Sequence, residues 1–376
     1  MTSRERLLTA LRGGEPDRVP VWVWGIRPGH PEQHPSIQPV VDACLARSDL
    51  LVWWSGFGDL FLTAADVPVH TETRPSRLLD YQESTTTWQT PAGELTRVVY
   101  TSPEGRPGYV FKDMLQTRED VERFLSVEYM PARPDCTSFF ALDAELGDRG
   151  LPLAATICDP MYALNRLTGS EVFALWSVEE RDLIDELIAV LLDRVLDYVR
   201  WLLAEGVGPV FGYVGPELCI PPLQSPSDFE RWVVEPDRRI ADLIHDAGGL
   251  MLVHCHGGLD SILEGFVRMK ADALHPIEPP APDGTGIAGG VTMADAKRRV
   301  GRNLCIVGNI QHHEIEATPP AEFREMVAET VRAGMEGGAF ILSPTATPFG
   351  WPTMTDLARE NWLAMLDVAL EVGRYS

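Results

Sequence analysis

Two histidines, His254 and His256, flank one residue at the end of the apolar run Gly249-Leu250-Met251-Leu252-Val253, with Gly257 and Gly258 behind them. Alternate residues of a strand point to the same side, so both imidazoles can face one point while Cys255 turns away. Imidazole pairs at that spacing suit Zn²⁺, which takes four ligands. A third protein ligand is expected from a flanking strand end, where Glu217 and Glu278 stand. Two histidines and a carboxylate with an open fourth position form the arrangement of catalytic zinc. Such an ion lowers the pKa of a bound thiol, hydroxyl or water. The same residues without a metal could do acid–base chemistry. The histidines would then protonate a carbanion, and Asp159 would stabilise a cationic intermediate.

The elements that must position these groups alternate along the chain. Apolar strand candidates fall at 19–25, 50–54, 152–157, 209–214, 250–254, 272–277, 304–309 and 339–343. Amphipathic helical patterns lie between them. The clearest is 178–203, with Ser177 and Glu180 offering a capping box and Gly206 a stop. Two more run through 225–249 and 318–338. Near-continuous apolar strands alternating with helices argue for parallel pairing, and eight units predict a closed (β/α)₈ barrel in one domain. An open doubly wound sheet is the alternative, but no G-x-G-x-x-G follows an early strand. Reactive groups in such a barrel sit at the C-terminal strand ends. Asp159, Asn309 and Ser343 all fall there, as a proton carrier and two substrate-orienting groups. Residues 66–135 break the rhythm with hairpin turns around "TPAGE" and "SPEGRPG". This excursion between the second and third strands is expected to be a lid, a homodimer surface or a decorated loop.

Composition narrows the partners. A formal net charge of −23 repels nucleic-acid phosphates and anionic membrane surfaces. The charged opening Met1-Thr-Ser-Arg-Glu-Arg lacks a secretory apolar core, and no apolar run is long enough to span a bilayer. Six scattered cysteines lack the spacing of a disulfide scaffold, so reduced thiols in the cytoplasm are expected.

Together, "RERLLTALRGGEPDRVPVW" (4–22), "GPELCIPPLQSPSDFERWVVEPDRRIADLIHDAGGLMLVHCHG" (215–257), "GNI" (308–310) and "GGAFILSPTATP" (337–348) resemble the uroporphyrinogen decarboxylase superfamily. The resemblance implies a (β/α)₈ barrel and one of two chemistries. True decarboxylases work without a cofactor and hold tetrapyrrole carboxylates with arginines, an aspartate, a tyrosine and a late histidine. Arg27 and Tyr162 are the matching substrate-binding candidates here, and "ILSPTATP" lacks the late histidine. The other branch comprises zinc methyltransferases that work with corrinoid proteins and thiols. Their zinc site is H-x-C plus a later Cys. His254 matches the first ligand, His256 takes the place of the first Cys, and Ala346 stands about where the second would be. The resemblance therefore implies a zinc enzyme moving methyl groups to or from a small molecule, with a corrinoid protein as partner. A metal-free carboxy-lyase is the runner-up, and a non-catalytic tetrapyrrole- or corrinoid-binding protein the third expectation.

Overall fold

The computed structural model describes residues 1–29, 34–55, 60–78, 80–103, 106–280, 289–350 and 352–375, excepting the side chains of 155–158. Its frame is a curled sheet of seven parallel strands. These are β1 (Leu50–Trp54), β6 (Gly150–Cys158), β7 (Val210–Val214), β8 (Leu250–His254), β9 (Ala273–His275), β10 (Cys305–Ile310) and β11 (Phe340–Pro344), hydrogen-bonded in that order. Side chains alternate across it as the two-residue period requires. Leu51 faces inward with Leu151, Leu153, Val210, Leu252, Ala273, Val307 and Ile341. Leu50, Val52 and Trp54 face the helices outside. Leu7, Ala10 and Leu11 of the helix Ser3–Leu11 join the inner cluster and seal the end where the strands begin.

The expected strand at 19–25 is reduced to a single bridge, Val21 to Leu342. Leu342 N donates to Pro20 O at 2.9 Å, Trp22 N to Leu342 O at 2.9 Å, and Asp49 N to Val21 O at 2.7 Å. Two local causes stop a longer ladder. Pro20 has no N–H, and the Val21 N–H goes to the Asp49 carboxylate at 3.0 Å instead of to backbone. Asp49 is fully buried and also accepts from Arg6 at 2.7 Å and Arg18 at 2.8 Å. An ionic clamp thus replaces part of the ladder between β1 and β11.

One predicted helix start moves. The helix Arg181–Ala204 follows directly on another, Pro160–Glu179, with Glu180 in a non-helical conformation between them. Ser177 therefore caps nothing. It is buried in the first helix, where it donates to Ala174 O at 2.8 Å and accepts from Gln224 Nε2 at 3.0 Å. The stop at Gly206 stands: its φ is 84° and its N–H donates to Leu203 O at 3.1 Å.

Between β1 and β6 the excursion carries a separate antiparallel sheet of β2 (Val69–Pro75), β3 (Gln82–Thr90), β4 (Gly93–Thr101) and β5 (Tyr109–Lys112). Pro91-Ala92 makes the turn between β3 and β4, inside "TPAGE". Among the described residues no helix is long and apolar enough to cross a membrane.

Candidate active site

His254 closes β8, and His275 closes β9 directly opposite it in register. Their Nδ1 atoms lie 2.8 Å apart. His275 Nε2 faces Pro344 O at 3.2 Å and Ser343 Oγ at 3.3 Å. A carbonyl only accepts, so His275 Nε2 carries a proton. In the neutral ring its Nδ1 is then the acceptor, and His254 Nδ1–H is the donor. That assignment leaves His254 Nε2 as a bare lone pair. Burial is the main force keeping both rings uncharged. It lowers His254 well below the ordinary value, helped by His275 and His256. It also takes His275 down to about 3.

His256 behaves oppositely. Burial works against its charge, but the hydrogen bond and charge of Glu278, with the charge of Glu217, raise it on balance. Its Nδ1 stands 3.2 Å from Glu278 Oε1. Desolvation pushes Glu278 up, yet His256, the Gly257 N–H at 2.8 Å and Gln311 at 3.4 Å pull it down on balance. The two histidine rings are 4.7 Å apart between centroids and nearly perpendicular. An imidazole that burial holds neutral and one whose protonated form is favoured therefore share the mouth of the sheet. Titratable neighbours driven apart in this way are the signature of an acid and a base.

Trp24 walls the site. Its ring lies 4.6 Å from His254, 4.3 Å from Trp53 and 5.3 Å from His275, stacked on the last. The close approach of backbone beneath the site requires glycine at 215, where an added Cβ would stand 1.9 Å from His254 O. Cys255 is buried with its N–H donated to His275 O at 2.7 Å, and burial pushes its thiol well up.

The expected site residues divide. His254, His256 and Glu278 come together, and Glu217 reaches them by accepting the His256 backbone N–H. Burial is the chief cause of the raised Glu217 pKa. Asn309 is buried in register with Ser343, and Ser343 is fully buried against His275. Asp159 caps the helix Pro160–Glu179, its Oδ1 accepting Tyr162 N at 2.6 Å. Tyr162 is half-buried one turn along that helix, and Arg27 is exposed on the turn after Gly25. As the side chains stand, no group of three or more His, Cys, Asp or Glu among the described residues is arranged to hold a metal ion. His256 and Glu278 are bonded to each other, so His256 would have to leave Glu278 before it could join His254 and a carboxylate around zinc. His275 and Gln311 were not singled out from sequence. The signal for His275 was its place at the end of the next strand, level with His254. Gln311 carried none: it accepts from Thr345 Oγ1 at 3.2 Å and holds Glu278 from the loop after β10.

The uroporphyrinogen decarboxylase (URO-D) family model matches residues 99–369, and the chain belongs to that family. Among solved structures, a methyltransferase from Methanosarcina mazei is similar over 99% of this chain and 99% of its own, at a TM-score of 0.59 and 16% identity. A likeness of that size is one of fold. No curated protein matches the sequence.

Proposed function

We propose that this chain is an enzyme transferring a methyl group to or from a small-molecule nucleophile, with His254 as general base and His256 as general acid. The reading takes the 20–22 segment as the eighth stave of a closed (β/α)₈ barrel. It is carried by one observation: the hydrogen-bond chain Pro344–His275–His254, which leaves His254 Nε2 as an open lone pair beside the His256–Glu278 pair. His254 takes the proton of an attacking thiol or hydroxyl as the new bond to methyl forms. His256 supplies a proton to the leaving oxygen or nitrogen when the methyl group departs. Ser343 and Gln311 hold the two pairs in place. The fold shared with a methyltransferase supports this direction, and a corrinoid protein is the proposed carrier.

The test is thiol-dependent demethylation of free methylcobalamin, followed by its absorbance. We expect turnover by the wild-type chain and its loss in His254→Ala. Absence of turnover, together with CO₂ release from a carboxylated substrate, would move the assignment to the carboxy-lyase. A second reading keeps zinc. A histidine that donates its Nδ1–H and frees Nε2 is in the state a metal ligand needs, and His254 is so placed. It requires His256 to leave Glu278. About one zinc per purified chain, lost in a His254→Ala, His256→Ala double variant, would favour it.

A further inference from the structure

Behind the site two aspartates meet without a cation. Asp159 is 1% exposed and Asp237, on the helix Glu235–Asp246, 2% exposed. The two side chains are within hydrogen-bond reach of each other. Asp159 Oδ2 and Asp237 Oδ1 are buried, and among the described residues no donor reaches either. Two carboxylates cannot hydrogen-bond to one another, so the contact exists only if one of them carries a proton. The surroundings do not relieve the charge. Glu217 acts on Asp159 from the loop after β7, and the Tyr162 N–H is its one bonded donor. The thiols of Cys219 and Cys255 are the other titratable groups felt near the pair, and burial leaves both un-ionised. No arginine, lysine or histidine acts directly on either aspartate among the described residues.

The helix decides which aspartate is charged. Asp159 caps the helical segment that starts at Pro160 and is kinked at Gly169, where a peptide N–H and the helix N-terminus favour a carboxylate. Asp237 has only Asp159. We infer that Asp237 is held as an un-ionised carboxylic acid donating to the Asp159 carboxylate, so that the pair keeps one proton behind the site. Asp237 is thus a positioning residue. Burial raises both members, and their mutual repulsion adds to it for Asp237. No covalent bond changes.

The inference goes beyond the methyl-transfer reading and is tested without turnover. The full chain, with isotope-labelled aspartate, is examined by infrared spectroscopy for the carbonyl stretch of un-ionised aspartic acid across a pH series. The wild type should show it at neutral pH. Asp237→Asn should lose the Asp237 component, and Asp237→Glu should restore an acid signal as glutamic acid when glutamate is labelled. Wild-type spectra without un-ionised aspartate would overturn the pair, whatever becomes of the variants. Failure of the methylcobalamin assay leaves this result untouched.

Discussion

The clamp at Asp49 predicts a large effect from a small change. Asp49→Asn keeps the shape and removes the charge. Asp49 accepts from Arg6 at 2.7 Å, from Arg18 at 2.8 and 3.1 Å, and from Val21 N at 3.0 Å. Arg6 retains a second partner, Asp17, at 2.7 and 2.9 Å. Arg18, with its side chain 17% exposed, keeps only the carbonyl of Val19 besides. Breaking a buried pair costs roughly 3–5 kcal/mol. With Arg6 still paired, the low end applies, about 3 kcal/mol. The control is Asp17→Asn. Asp17 is 43% exposed, and an ion pair open to solvent is worth about 1 kcal/mol or less. Urea unfolding with linear extrapolation measures both. Hydrogen exchange at the Val21 amide locates the damage, and protection there should fall in the first variant only. If Asp49→Asn costs no more than Asp17→Asn, or Val21 stays protected, the carboxylate is not what binds the 17–21 segment to the sheet.

Two other outcomes follow from the site. Gly215→Ala places a methyl carbon 1.9 Å from His254 O, against backbone that cannot rotate away. It should destabilise by about 1–3 kcal/mol and shift the His254 ring resonances in NMR spectra; unchanged spectra would contradict the packing. The His256–Glu278 pair also sets a pH window. His256 is raised above 6.5, so its contribution is complete below 6.5 and is lost as pH rises through the folded value. Glu278 is lowered below 4.5, so its contribution is complete above 4.5 and is lost as pH falls through the folded value. The stability difference between wild type and Glu278→Gln should therefore peak between 4.5 and 6.5, and a flat profile in urea unfolding would refute the pair.

Periodicity made most of the frame legible. Seven apolar runs became strands because inward and outward positions alternate without interruption, as at Leu51 and Val52. The 19–25 run reads the same way, but its hydrogen bonds are settled by Asp49 and by proline, which hydropathy does not register. Ser177 misled for a similar reason. A capping signature is local, whereas its hydroxyl is claimed by Gln224 from a distant loop. The H-x-H pattern puts His254 at the end of β8 and His256 just beyond it, in the loop that follows. It could not show which partner each ring takes. That choice depends on the register between β8 and β9, and register is a property of two strands together. Asp237 was invisible, because one acidic residue in an amphipathic helix looks like a solvated one until the opposite helix is in place.

The helix Ser3–Leu11 has a consequence for traffic. By plugging the inner cluster with Leu7, Ala10 and Leu11, it turns the curled sheet into a cup with one rim. Among the described residues the strand-start end is filled by these side chains, so His254, at the far end of β8, is approached from the opposite rim.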